Sequence, residues 1–166
     1  MAVLEKASSG RVGIRRLDPS DRDGLRQYYR SPSPRATYRR FLSPVVCLEQ
    51  LERVGLRDLD GDSQQALAAV VEGAIVGVAR YTPEKERRDF ADLAVVVADA
   101  WQRQGIGTRL LALLADEARR AGVRTFTVLT LADNQAAVRL LRRVVPETNL
   151  RMASGALEGV VPLEAA

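Results

Sequence analysis

Apolar and polar positions recur along the chain with spacings that predict a mixed α/β domain. Strands are predicted where apolar residues alternate or run together between turn residues; these segments are Gly10–Leu17, Gln65–Val71, Ile75–Tyr81, Phe90–Ala98, Arg124–Leu131, Thr148–Met152 and Ala156–Val161. Helices are predicted from Asp18-Pro19 to about Tyr29, over Arg35–Phe41, around Leu48–Val54, over Gly105–Ala121 and from Asp133 to about Val144. This order favours a single central mixed sheet of about seven strands, flanked by helices.

Turn and cap residues support these boundaries. Glu72-Gly73-Ala74 joins two predicted strands as a hairpin. Gly122 follows the longest predicted helix, where a glycine often ends a helix. Asp133 is a good N-cap for the last predicted helix, and Pro146 ends that helix.

The chain has 166 residues, which fits one compact domain. We expect residues 1–10 to be a short flexible N-terminus and residues 11–166 to form the domain. The sequence contains no apolar run long enough to span a membrane, and its start lacks the apolar segment of a secretory signal. The single cysteine, Cys47, cannot form an internal disulfide, which favours a cytoplasmic location; a secreted protein without disulfides is the alternative.

The charge and the absence of histidine narrow the chemistry. Without histidine, the chain cannot use Ser-His-Asp or Cys-His catalysis, and most zinc sites are excluded, so no metal is expected. The net charge of +4 favours an anionic partner: nucleic acid, a membrane surface or a phosphate-rich cofactor. No segment alternates basic and aromatic residues as an RNA-binding sheet does, so we expect neither nucleic acid nor membrane as a partner.

The segment Gln102–Thr108 lies between an apolar strand and an amphipathic helix, and it contains Gly105 and Gly107. The start of a helix has backbone N–H groups without partners and a partial positive charge. Glycines let that backbone come close to an anion, so the segment predicts a pyrophosphate site. A dinucleotide fingerprint would need a third glycine where Leu110 stands, and the Gly-Lys-Ser/Thr of a P-loop is absent. An ordinary tight turn into a helix is the alternative.

With its flanks, this segment resembles the GNAT acetyltransferase superfamily, whose central motif Gln/Arg-x-x-Gly-x-Gly/Ala is matched by Gln102, Gly105 and Gly107. The strand Ala91–Val97 is similar to the fourth strand of that family, and Leu131–Leu141 is similar to its later Asn-x-x-Ala-x-x-Leu motif. Two stretches further resemble bacterial Pat-type protein lysine acetyltransferase domains; they are Tyr38–Pro44 and Val95–Gln102.

The resemblance implies a GNAT-like fold with splayed fourth and fifth strands and acetyl-CoA as the cosubstrate between them. It implies that backbone groups of Val95 and Val97 pair with pantetheine, and that Asn134 lies near the inner arm of the cofactor. It also implies that backbone amides of one continuous segment hold the pyrophosphate; these residues are Arg103, Gln104, Gly105, Ile106, Gly107 and Thr108.

Asp92 is the candidate general base, because it is the only acidic residue within an apolar strand and the Pat-type pattern has glutamate there. Burial would raise its pKa toward a useful range; the alternative is that Asp92 faces solvent at the start of the strand. The tyrosine that protonates the leaving thiolate in many family members is replaced by Leu141. Water would then supply that proton, or Tyr81 or Tyr38, each of which also suits a packing role.

Three functions remain open at this level: an N-acetyltransferase that moves acetyl from acetyl-CoA to a primary amine, with protein lysine the first candidate acceptor; a non-catalytic acyl-CoA-binding regulatory module; and a basic nucleic-acid-binding protein. Cys47 is interpreted as structural rather than nucleophilic, since no histidine can activate it. Arg35, Arg39 and Arg40 form either a solvated helix face or a site for an acidic acceptor or for the adenosine 3′-phosphate. A homodimer is compatible with the sequence.

Overall fold

The structure, a computed structural model, describes residues 5–6, 12–30 and 65–163. Its strands are β1 Glu5–Lys6, β2 Gly13–Arg16, β3 Gln65–Val71, β4 Ala74–Pro83, β5 Phe90–Val97, β6 Thr125–Leu131, β7 Asn149–Ala153 and β8 Ala156–Pro162. Its helices are α1 Arg22–Arg30, α2 Ile106–Arg120 and α3 Gln135–Val144, with short 3-10 turns at Pro19–Asp21 and Asp99–Trp101. The two helices predicted at Arg35–Phe41 and Leu48–Val54, together with Cys47, lie outside the described residues.

The strands form one mixed sheet in the order β1-β2-β3-β4-β5-β6-β8-β7. Every neighbouring pair is antiparallel except β5 and β6, which are parallel and are connected through α2. The seven predicted strands are confirmed, and the two-residue β1 adds an eighth. The predicted fourth and fifth strands are β5 and β6.

Helix α2 covers one face of the sheet because its apolar residues share one side of the helix. Leu110, Leu111 and Leu114 are fully buried there, and each such leucine contributes about 1.5–3 kcal/mol by leaving water. They pack with Phe126, Tyr81 and alternate residues of β5 in the main core. A smaller cluster under α1 covers the opposite face of β3, β4 and β5.

The predicted turns are present. The β3–β4 hairpin turns at Glu72 and Gly73, with φ of 50° and 84°, and the β7–β8 hairpin turns in the same way at Ser154 and Gly155. Gly122 follows α2 with a φ of 88°, in the left-handed region that glycine adopts without strain. Two-residue turns of this conformation match the twist of the strands that they join.

A bidentate ion pair fixes the start of α1 against β2. The guanidinium of Arg15 donates to both carboxylate oxygens of Asp21, with N–O distances of 2.7 and 2.6 Å. Asp21 also accepts from the backbone N–H of Asp18 at 2.9 Å, which completes a capping box. The hydrogen bonds from Arg15 are the main reason that the pKa of Asp21 lies below its usual value.

Candidate active site

A cleft of about 500 Å³ opens where β5 and β6 separate. The two strands pair only from Phe90–Asp92 to Thr125–Thr127 and then diverge. Beyond that point the first turn of α2 and one side of α3 complete the walls. The cleft is lined by Leu93–Val97, Trp101, Gln102, Arg103, Gly105, Gly107, Thr108, Val128, Leu129, Thr130, Asn134, Ala136, Ala137, Arg139, Leu140, Leu141 and Arg143.

The backbone of β5 directs hydrogen-bonding groups into this cleft. Ala98 N–H donates to the carbonyl of Val76 on β4 at 2.8 Å, so even-numbered residues at this end of β5 turn their backbone groups toward β4. Because the direction alternates along a strand, Val95 and Val97 turn theirs toward the cleft. The Val97 carbonyl accepts from the side chain of Gln102 at 2.9 Å. Both backbone groups of Val95 and the N–H of Val97 therefore form the unpaired edge of β5.

The Gln102–Thr108 segment forms a turn that enters α2 without a side-chain cap. Gly105 is the N-cap residue with a φ of 78°, and Arg103 also has a positive φ, of 59°. The Arg109 N–H donates to the Gly105 carbonyl at 3.1 Å. The preceding N–H groups of the first turn have no partner within the helix, and they carry the positive end of its dipole. Because Gly105, Gly107 and Thr108 line the cleft, this turn is suited to bind an anion there.

The side chains of this segment do not all face the cleft. Gln104 turns back and donates to the carbonyl of Ala100 at 3.2 Å. Ile106 is 2% exposed and belongs to the main core. A Cβ on Gly107 would lie 3.4 Å from Leu140 and 3.7 Å from Val97, so the start of α2 passes close to both α3 and β5. Gln104 and Ile106 can therefore serve a ligand only through the backbone.

The N-cap of α3 is Asn134, and the prediction of Asp133 was wrong by one residue. The Asn134 side chain accepts from the N–H of Ala137 at 3.2 Å and donates to the Thr130 hydroxyl at 3.0 Å. Both ends of its amide are thus engaged in joining α3 to β6. Asn134 does line the cleft, as its predicted role requires, but it also holds the wall of the cleft in place.

Asp92 is the last residue of β5 that pairs with β6; it lies opposite Thr127 of β6 and Thr82 of β4. The expected burial was wrong, because the Asp92 side chain is exposed. Leu93 and Val95 pack in the main core, whereas Val96 packs under α1. Since side chains alternate between the faces of a sheet, Asp92 lies on the α1 face, at the closed end of the cleft.

No described cleft residue takes the place of the missing tyrosine. Leu141 is 5% exposed and contributes to both the cleft wall and the main core. Tyr81 lies outside the cleft, 2% exposed, with its ring centroid 5.8 Å from that of Phe126. Burial raises the pKa of Tyr81, and the charge of Glu117 raises it further. Tyr81 is therefore a core residue. Tyr38 and the arginines at positions 35, 39 and 40 lie outside the described residues.

Sequence reasoning missed several cleft residues. Trp101 contacts the core and also lines the cleft. Arg139 and Arg143 line it from α3, one helical turn apart, and that spacing was the available signal. With Arg103 they give the described lining three positive side chains and no carboxylate. The described residues also contain no group of three metal-binding side chains and no helix suited to crossing a membrane.

Known proteins share this architecture. The chain is 33% identical over 138 residues to an acetyltransferase of Pseudomonas aeruginosa, covering 80% of this chain and 74% of that one. The GNAT domain of S. lividans PAT superimposes with a TM-score of 0.79 at 23% identity, over 95% and 94% of the two chains. Spermidine N-acetyltransferase from Vibrio cholerae, solved with CoA and spermine, gives 0.69 at 11% identity, over 92% and 96%.

The family assignment rests on sequence. The model of the acetyltransferase (GNAT) family matches residues 23–144, which include β3 to β6 and α2, and extend to the end of α3. That range contains the whole cleft described above. The chain belongs to the GNAT family of acetyltransferases.

Proposed function

We propose that this acetyltransferase moves the acetyl group of acetyl-CoA directly onto a primary amine, with the lysine side chain of a protein as the first candidate acceptor. The observation that carries the proposal is the cleft between β5 and β6. It combines an unpaired strand edge, a helix N-terminus and three arginines within about 500 Å³. An extended amide-containing arm that ends in a pyrophosphate matches these features in the order in which they occur.

The pantetheine arm would lie along β5 as an additional strand. The Val95 N–H and carbonyl and the Val97 N–H would pair with its two amides, as one β-strand pairs with another. The pyrophosphate would meet the N–H groups from Arg103 to Thr108. The thioester would then lie toward the closed end of the cleft, near Leu93. A backbone N–H of β5 directed at the thioester oxygen would stabilise the tetrahedral oxyanion.

The acceptor amine must lose a proton before it attacks. An unperturbed lysine has a pKa of about 10.4, so at neutral pH fewer than about one amine in a thousand is uncharged. We propose that Asp92 accepts this proton through a bridging water, because its carboxylate lies on the α1 face at the closed end of the cleft. Attack forms the C–N bond, and collapse of the intermediate breaks the C–S bond. Water protonates the departing thiolate, since Leu141 occupies the place of the tyrosine.

The first experiment is a melting scan with acetyl-CoA, followed by release of free thiol against a panel of amines that includes lysine peptides and polyamines. At 100 times its dissociation constant, acetyl-CoA should add about 2.7 kcal/mol to the free energy of unfolding. An unchanged melting temperature at millimolar acetyl-CoA would contradict the proposal. Stabilisation without thiol release for any amine would instead support a non-catalytic acyl-CoA-binding module. The exposure of Asp92 and the leucine in place of the tyrosine, Leu141, favour that module.

Asp92→Asn tests the general base. We expect kcat/KM to fall by about 100-fold, within the range of general-base contributions, while the Kd for acetyl-CoA stays unchanged. Asp89→Asn is the matched control, since Asp89 is exposed just before β5 and uses only its backbone carbonyl, which accepts from Arg124 and Thr125. Equal rates for Asp92→Asn and the wild type would rule out the assignment. A cytoplasmic location, a homodimer and the absence of nucleic-acid binding stay predictions.

A further inference from the structure

The side chain of Tyr28 joins α1 to β5 from outside the cleft. Tyr28 is 2% exposed and packs under α1 in the smaller apolar cluster, with Ile75 and Val78. Its hydroxyl donates to the Val96 carbonyl at 2.8 Å, across 68 residues of sequence. Tyr28 does not line the cleft between β5 and β6. The hydroxyl therefore acts on the strand from its far side.

The carbonyl that accepts this bond belongs to the peptide group whose N–H is that of Val97. Val96 pairs with Val78, so its backbone groups are directed at β4, as those of Ala98 are. The Val97 N–H points the other way, into the cleft, on the same side as the Val97 carbonyl that Gln102 contacts. Because a peptide group is planar and trans, its two polar ends lie on opposite sides of β5.

The Val96 carbonyl has two lone pairs, and each faces a donor. One donor is the paired strand β4 and the other is the Tyr28 hydroxyl. A hydrogen bond to a carbonyl polarises its peptide group and strengthens the N–H at the other end, by roughly 10–30% for each bond. The apolar cluster under α1 surrounds this contact, so water screens it little. The hydroxyl is thus linked to the cleft through one peptide group.

We infer that Tyr28 is a positioning residue for the cosubstrate: its hydroxyl orients and polarises the Val96–Val97 peptide, which makes the Val97 N–H a better donor to the pantetheine arm. This inference rests on the proposed function, in which that arm pairs with Val95 and Val97. Val95 supplies an internal reference, because Tyr28 donates to the Val96 carbonyl and not to that of Ala94, which precedes Val95.

Amide NMR of the ligand-free protein tests the link from the hydroxyl to the cleft. Tyr28→Phe keeps the ring and removes only the hydroxyl, so we expect the Val97 amide proton to move upfield while that of Val95 stays in place. Tyr29→Phe is the matched control, since Tyr29 is 3% exposed and packs in the same cluster. It should leave both resonances near their wild-type positions. An unmoved Val97 resonance in Tyr28→Phe, or an equal shift in Tyr29→Phe, would overturn the inference.

Titration calorimetry measures the consequence for the ligand. In Tyr28→Phe the Kd for acetyl-CoA should rise about threefold, toward the lower end of the effect of one neutral hydrogen bond. The Kd for ADP, which has the pyrophosphate but no pantetheine arm, should stay unchanged. The inference is overturned if both Kd values rise equally, which would indicate a general loosening of the site, or if neither rises. No binding of acetyl-CoA by the wild type would instead refute the proposed function, and the inference with it.

Discussion

Asn134 offers a test of whether a cleft residue acts by holding the wall or by contacting the ligand. Asn134→Ala removes the N-cap acceptor of the Ala137 N–H, a loss of about 0.5–2 kcal/mol. It also removes the donor to the hydroxyl of Thr130, which is 6% exposed, and a neutral hydrogen bond of this kind contributes about 0.5–1.5 kcal/mol. Together these losses amount to about 2 kcal/mol of the free energy of unfolding.

In a domain of this size each kcal/mol shifts the melting temperature by about 2–4 °C, so ligand-free Asn134→Ala should melt about 4–8 °C below the wild type. Asn134→Asp is the matched variant. It keeps a strong N-cap acceptor, and the hydroxyl of Thr130 can rotate to donate to the carboxylate. We expect Asn134→Asp to melt close to the wild type.

Thermal unfolding of the ligand-free proteins, followed by far-UV circular dichroism, measures these shifts. The reasoning is refuted if Asn134→Ala melts at the wild-type temperature. It is refuted also if the Asp and Ala variants lose the same stability, because the capping acceptor would then contribute nothing. Binding of acetyl-CoA adds a second readout: while the variants stay folded, loss of the cap alone should leave the Kd for acetyl-CoA nearly unchanged, whereas loss of a ligand contact should raise it.

Three further predictions concern the loop, the tail hairpin and the capped start of α1. Gly107→Ala should leave the free energy of unfolding unchanged or raised, since the atom nearest to the new Cβ is a leucine carbon at 3.4 Å. The Kd for acetyl-CoA should nevertheless rise by about tenfold. Gly159→Ala should lower stability by about 3 kcal/mol in urea unfolding, because its Cβ would lie 1.9 Å from the backbone oxygen of Asn149. Arg15 lowers the pKa of Asp21 in the folded protein. The stability that this shift contributes is present above the pKa of Asp21 in the unfolded chain and is lost as the pH falls through its pKa in the folded protein. Asp21→Asn should therefore flatten the dependence of the free energy of unfolding on pH below about pH 4.

The sheet and the α2 turn could be predicted because their signals are local. Strand length, two-residue turns and a glycine after a helix each depend on a few neighbouring residues, and all seven predicted strands are present. Asp133 and Asn134 show the limit of such signals. Both residue types are favoured N-caps, so the pattern cannot choose between adjacent positions. In the structure the Asn134 amide also donates to the Thr130 hydroxyl at 3.0 Å, a contact with β6 that the helix pattern does not reveal.

The environment of Asp92 depended on contacts far along the chain. An acid within an apolar run predicts burial, yet α1 packs on β5 at Val96 and not at the start of the strand. Arg139 and Arg143 were missed for a similar reason. The sequence places them on one face of α3, but only the approach of α3 to Gly107 directs that face to the cleft.

The short pairing between β5 and β6 is a weak point in the backbone hydrogen bonding of the sheet. Three residue pairs join these strands, against seven between β4 and β5 and seven between β6 and β8. The sheet therefore has two parts, β1–β5 and β6–β8, which are joined to each other by fewer paired residues than join β4 to β5 or β6 to β8. A ligand that fills the cleft between β5 and β6 would link the two parts of the sheet. Its binding should therefore slow amide hydrogen exchange in the strands on both sides of the cleft.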